Sequence, residues 1–319
     1  VFLSGANFSQ MIIWLNGSFV QGDAARASVL DAGLQHGIGL FETMCARNGR
    51  VFRLADHLER LAESAKELQL ADPLRVQPLA EAVEQVMREW ARPDARIRLT
   101  LTGGVVNMLR EARDGKPVEI EPTLLIVASQ PTPFPEELFA HGVGVMVADD
   151  RCSPRDRFGG HKTLWYWPRL AALRSAAQAG AAEALWFDAS NRLCCGCTSN
   201  VFVVKGDRLI TPIARDEQGM DGVPQSPVLP GIARRTIVAL AQECGLRAHK
   251  SSMTIDDVLG ADELFLTNVS WGVLPVVRVE NSVIGEGSPG QHTRALRDAW
   301  LRTVQAQTSD ESNFSADEK

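Results

Sequence analysis

No apolar run in this chain approaches the roughly 20 residues needed to cross a bilayer, and the first residues lack the charged, apolar and small-residue zones of a secretory signal. A cytoplasmic location without membrane partners is therefore expected. Basic residues are also scarce. The 33 Lys and Arg face 39 Asp and Glu, a formal net charge of -6 with a pI near 5.6. That balance gives no cationic footprint for nucleic acid and no like-charged tail, so a small molecule is the expected partner. Six cysteines in 319 residues are too few for a disulfide framework, and Cys45, Cys152 and Cys244 stand far apart. Cys194, Cys195 and Cys197 cluster, but no second Cys or His pair follows at ligand spacing, so no metal is expected.

What is present is enough apolar residue, 45% of a 319-residue chain, for two ordinary cores. Residues 1–10 read as a loose leader and 11–130 as a small N-terminal α/β domain. Residues 131–141, which begin in the stiff Gln130-Pro131-Thr132-Pro133-Phe134-Pro135 stretch, read as the interdomain linker. Residues 142–305 make a larger domain and 306–319 a disordered tail. Asn16-Gly17 between short apolar segments predicts a hairpin over 11–20, and Lys205-Gly206-Asp207 predicts another between Val201–Val204 and Arg208–Ile210. Apolar residues at helical spacing predict helices over 56–70 and 79–90, and further helices are expected over 167–180 and 232–244. Strands are expected over 96–102, 122–129, 142–148, 184–187 and 263–267. In the first of these, Arg96, Arg98, Thr100 and Thr102 share one face, and Ile97, Leu99 and Leu101 the other.

A single lysine is ordinarily a solvated surface group. Lys162, however, lies between Gly159-Gly160 and the aromatic Trp165-Tyr166-Trp167. Partial desolvation there would lower its pKa and make it a nucleophile towards aldehydes. About thirty residues later comes Leu193-Cys194-Cys195-Gly196-Cys197-Thr198-Ser199-Asn200-Val201-Phe202. Four further stretches complete the pattern: Asp31 to Thr43, His57-Leu58-Glu59-Arg60-Leu61, Leu229 to Arg234, and Ala261 to Phe265 running on to Pro275-Val276. In this order the six motifs resemble the class IV, fold-type IV pyridoxal-phosphate enzymes, which include branched-chain and D-amino-acid aminotransferases and aminodeoxychorismate lyase. The resemblance covers Met11 to about Trp300.

The resemblance implies an α/β (α+β) two-domain fold-type IV enzyme. Its larger domain would carry a barrel-like sheet and bind pyridoxal 5'-phosphate, and the chain would form a homodimer. Lys162 would hold the cofactor as a Schiff base and carry the proton of the substrate α-carbon. The phosphate would fall to Gly231, Ile232 and Ala233 at a helix start, with Arg60 adding charge. Ala233 lacks the hydroxyl common in relatives, and Val269 replaces a phosphate-binding threonine, so Ser270 or Thr267 would compensate. Tyr166 would meet the cofactor's phenolic oxygen. His36 and Phe41 would line the substrate side, and Arg98, or failing it Arg96, would take the substrate carboxylate. Cys195 aligns with the glutamate that pairs with the cofactor's ring nitrogen in relatives. A carboxylate is the natural partner of a pyridinium, so Cys195→Glu is expected to raise the transamination rate. The expected activity is amino transfer between an amino acid and a 2-oxo acid. Aminodeoxychorismate lyase is the alternative, and a non-catalytic homologue, motivated by Cys195, is a third.

Overall fold

The computed structural model describes residues 11–71, 73–105, 122–217 and 226–309. The expected leader, and the expected tail beyond 309, lie outside the described residues. The chain divides into two compact units. The first comprises the chain up to Thr132, Lys162–Trp165 and the chain from Gln305 on; the second comprises Pro133–His161 and Tyr166–Val304.

In the first unit β1 (Ile12–Leu15) and β2 (Ser18–Val20) form the hairpin expected from Asn16-Gly17, with both residues at positive φ. They join β3 (Gly39–Arg47), β4 (Arg50–Val51), β5 (Ala95–Thr102) and β6 (Leu124–Ser129) in the order β2-β1-β6-β5-β3-β4, antiparallel throughout. A short helix, α1 (Ala32–His36), precedes β3, and α2 (Leu54–Glu67) and α3 (Val76–Trp90) follow it. Both α2 and α3 turn one apolar stripe to the core: Leu58, Leu61 and Ala65 from α2, and Leu79, Val83 and Val86 from α3, join Leu40, Met44, Ile97, Leu99 and Ile126 of the sheet. Strand alternation decides the rest. With Ile97, Leu99 and Leu101 in the core, Arg96, Arg98 and Thr100 are committed to the opposite face of β5. On β3 the same alternation separates Leu40, Glu42 and Met44 from Phe41 and Thr43.

The second unit is built on a mixed nine-stranded sheet. Its strands are β7 (Val143–Cys152), β8 (Glu183–Asp188), β9 (Leu193–Gly196), β10 (Asn200–Lys205), β11 (Arg208–Thr211), β12 (Arg247–Lys250), β13 (Glu263–Asn268), β14 (Gly272–Val279) and β15 (Ser282–Val283). The order is β12-β11-β10-β13-β14-β7-β8-β9, with β15 on β14. Helices α4 (Glu137–His141), α5 (Trp167–Gln178), α6 (Ile232–Leu240), α7 (Ile255–Leu259) and α8 (Gln291–Thr308) accompany it. The α/β fold class expected from the sequence is the one observed. Two segments read as irregular carry helix: α4 occupies the end of the expected linker, and α8 runs into the expected tail. Buried Phe139 on α4 packs into the same core as Val143 and Val276, which gives that helix a reason to form.

Candidate active site

In the first unit Lys162 is held by backbone pairing. The Phe41 amide donates to the Lys162 carbonyl (2.9 Å), the Leu164 amide donates to the Gly39 carbonyl (2.9 Å), and Leu40 and Thr163 form a bridge. The lysine segment thus lies along the start of β3. Gly39 permits this approach, since a Cβ there would sit 2.6 Å from both Leu164 Cδ1 and the Leu101 carbonyl oxygen. Lys162 Nζ stands 4.4 Å from the centroid of the Phe41 ring, and Arg98 Cζ lies 3.8 Å from the same centroid. Three residues singled out from the sequence are therefore brought together: the amine, the ring and the first-choice guanidinium. Of the aromatic Trp165-Tyr166-Trp167 cluster expected to flank the amine, Trp165 and Trp167 are 63% and 69% exposed, and the ring near Nζ is Phe41, which β3 carries to the face opposite the core.

Behind Phe41, Glu42 is fully enclosed. Its Oε1 accepts from Arg60 Nε (2.8 Å) and its Oε2 from Arg60 Nη2 (2.6 Å), while His57 Nδ1 lies 2.8 Å from Oε2. Burial alone would raise the Glu42 pKa, but the Arg60 charge and the two hydrogen-bonding partners outweigh it and bring the group down to about 2. Burial lowers the pKa of His57 despite Glu42. Arg60, the expected phosphate ligand, is thus oriented by a bidentate carboxylate. Arg96 is half-buried, and burial lowers its pKa. His36 stands exposed at the end of α1, followed by Gly37 in the left-handed region at φ 68°.

The second unit brings together another set. Gly231 N-caps α6 without a side-chain cap, so the first amides of that helix are open to an anion. Asn200 donates through Nδ2 to the Leu229 carbonyl (2.9 Å), and a Cβ on residue 231 would collide with Asn200 Oδ1. Glycine is required there by contact, its φ of -66° being ordinary. Opposite Asn200 in the β10–β13 ladder is Thr267, 1% exposed, whose Oγ1 meets no hydrogen-bond partner among the described residues. A buried hydroxyl left in that state is costly unless something accepts from it. Ser270, the other candidate, is exposed in the turn after β13.

On β9, Cys195 is buried opposite Trp186 of β8. Burial pushes its thiol up, and the neighbouring Arg169 opposes that rise. Arg169 Nη1 lies 3.2 Å from Cys195 Sγ and 3.0 Å from the Gly196 carbonyl oxygen. Tyr166 donates its hydroxyl to the Cys197 carbonyl (3.1 Å), and burial pushes it up to about 12. Glu183 ties the following loop together, accepting from the Cys197 and Thr198 amides and from the Thr198 and Ser199 hydroxyls. Sequence reasoning passed over Arg169, Glu183 and Asn200 as individuals. One signal existed for Arg169: it sits in the first turn of α5, where the helix dipole disfavours a cation, so another partner had to hold it.

Residues 39–279 match the family described as amino-transferase class IV. A Methanocaldococcus jannaschii protein provisionally named a branched-chain-amino-acid aminotransferase is 34% identical over 90% of this chain and 94% of its own length. The D-alanine aminotransferase of Bacillus licheniformis is 26% identical over 94% of this chain and 99% of its own. Among solved structures, the branched-chain amino acid aminotransferase of Escherichia coli superposes with a TM-score of 0.83 at 26% identity, covering 95% of this chain and 98% of that one. The T.th. branched-chain amino acid aminotransferase with pyridoxamine 5'-phosphate gives 0.82 at 26% identity, covering 95% and 96%. Matched to that family over most of its length, the chain belongs to the class IV amino-transferase family.

Proposed function

We propose that this protein moves an amino group between an amino acid of the branched-chain or D-amino-acid type and a 2-oxo acid, using pyridoxal 5'-phosphate. The observation that carries the reading is the shared Phe41 ring, with the Lys162 amine 4.4 Å and the Arg98 guanidinium 3.8 Å from its centroid. An aldehyde needs the first and a substrate carboxylate the second. The cofactor suits the remaining groups. The open amides of Gly231, Ile232 and Ala233 match a phosphate, and the buried Thr267 hydroxyl, without a hydrogen-bond partner among the described residues, would be a further donor. Thr267 fits this task better than Ser270, and Arg60, fixed by Glu42, would add positive charge.

When bound, the cofactor supplies an aldehyde that captures amines and a ring that accepts the electron pair released at the substrate α-carbon. Lys162 Nζ would hold that aldehyde and, as a free amine, would take the substrate α-proton and return it. Arg98, its Cζ 3.8 Å from the Phe41 centroid, would present a planar fork to the substrate carboxylate. Arg96, on the same strand face, is the reserve partner, and His36 would line the substrate side. Tyr166 would have to release the Cys197 carbonyl to serve the cofactor's phenolic oxygen. Cys195 stands, by resemblance, against the ring nitrogen. Six unbridged thiols suit the cytoplasm, and no helix among the described residues is long and apolar enough to cross a membrane. A homodimer is the proposed assembly.

Borohydride reduction of the holoprotein followed by peptide mapping tests the lysine, and Lys162→Ala should abolish both the label and the cofactor's visible absorbance. Substrate screening tests the reaction. Conversion of the cofactor to its aminated form by branched-chain or D-amino acids supports transfer. Pyruvate release from aminodeoxychorismate without that conversion would establish the lyase, and a labelled protein with neither activity would establish the non-catalytic homologue.

A further inference from the structure

We propose that Arg169 sets the charge of the cofactor's ring nitrogen and keeps that atom unprotonated; this rests on the cofactor reading above. Arg169 Nη1 reaches Cys195 Sγ at 3.2 Å, the Gly196 carbonyl oxygen at 3.0 Å and the Cys197 carbonyl oxygen at 3.5 Å. Its guanidinium also lies near the Tyr166 and Trp186 rings, at 6.0 and 5.6 Å from their centroids. Among the described residues no carboxylate bonds to it. The nearby acids are committed elsewhere: Glu183 to the 197–199 loop, and Asp188 to the Ser190 and Arg192 amides and Arg192 Nε. The remaining titratable neighbours are thiols and one phenol: Cys195 and Tyr166 are raised by burial, while Cys152 and Cys194 face each other at 3.3 Å.

Donors and acceptors on this wall decide where a proton can sit. A carboxylate beside a pyridine shares a proton with it. A guanidinium has no acceptor and keeps its own protons, and a fixed positive charge disfavours a second one close by. With a neutral thiol and a permanent cation here, the ring nitrogen keeps its lone pair. A ring in that state withdraws less electron density from the α-carbon. Arg169 is therefore a charge-setting residue that acts beside Cys195.

The pair also changes the outcome of the obvious repair. In Cys195→Glu alone the new carboxylate meets Arg169 first, forms a bidentate ion pair and has no proton to share. Only Cys195→Glu combined with Arg169→Met frees it. The two substitutions should be strongly non-additive.

The test is 15N NMR of holoprotein rebuilt with cofactor labelled at the ring nitrogen, whose resonance moves far upfield on protonation. The wild type, Arg169→Lys and Cys195→Glu are expected at the unprotonated position across neutral pH, and the double variant at the protonated one. An upfield resonance in the wild type or in Cys195→Glu overturns the proposal. Should the Arg169→Met variants fail to fold, those two spectra still decide it. Borohydride labelling of the same samples separates the two failures. An unlabelled Lys162 overturns the cofactor reading, whereas a labelled Lys162 with a protonated ring overturns only the role of Arg169.

Discussion

At the scale of the residue, consecutive positions on β3 divide the work: Phe41 faces the amine and Glu42 faces the core. The two could not exchange, since alternation fixes which side each occupies. The buried Glu42 makes stability sensitive to acid. Its pKa falls from near 4.5 to about 2 on folding, so its contribution, about 3 kcal/mol from the size of that shift, is complete above the unfolded value and disappears as pH falls towards 2. His57 acts in the same direction. Its folded pKa is depressed, so it resists protonation in the folded state as pH drops below its ordinary value of 6.5. Urea midpoints should therefore decline from neutral pH downwards and steepen below about pH 4. Glu42→Gln should flatten the acid limb and cost roughly 3–5 kcal/mol at pH 7, because the buried Arg60 charge loses the carboxylate charge that faces it. An unchanged acid limb in that variant would place the sensitivity elsewhere.

At the scale of the element, α6 joins a buried charge to leading amides that no side chain caps. Arg234, 2% exposed in its first turn, donates to both Glu217 oxygens and to the Pro212 carbonyl. That anchors the helix while its leading amides stay open. Gly231→Ala should push Asn200 aside and disturb those amides. The expected result is a pyridoxal 5'-phosphate Kd raised about tenfold or more, ~1.4 kcal/mol, with little change for pyridoxal, which lacks the phosphate. Adding Asn200→Ala should recover part of the loss, as isothermal titration would show; equal losses for both ligands would remove the phosphate assignment. The periodic elements were legible in advance. Helices α2 and α3 and strand β5 carry clean stripes or alternation, and both hairpins carry their turn dipeptides. Strand β9 was legible only as a motif, because all four of its residues are buried and no alternation survives.

At the scale of the molecule, the chain leaves the second unit after His161, spends Lys162–Trp165 in the first and returns at Tyr166. No composition shift marks that excursion, since four residues are too few to carry a pattern; the backbone pairing with β3 decides it. The first unit also exposes Val29 (73%), Leu30 (57%) and Leu34 (67%) in and before α1. Apolar residues grouped in this way favour association with a second copy. Sedimentation of the wild type should report a dimer, and Leu34→Asp should shift it towards monomer without unfolding it; a monomeric wild type would rule out the assembly.

Local order alone determined the family and the fold class and singled out Lys162 as the candidate amine, because periodicity, turn residues and six ordered motifs are written into neighbouring positions. Tertiary structure decided which aromatic meets the amine, which buried hydroxyl has no partner among the described residues, and that Arg169 stands against Cys195. Those facts depend on side chains brought together across strands and helices, up to 121 positions apart in the case of Lys162 and Phe41, and no local pattern encodes such distances.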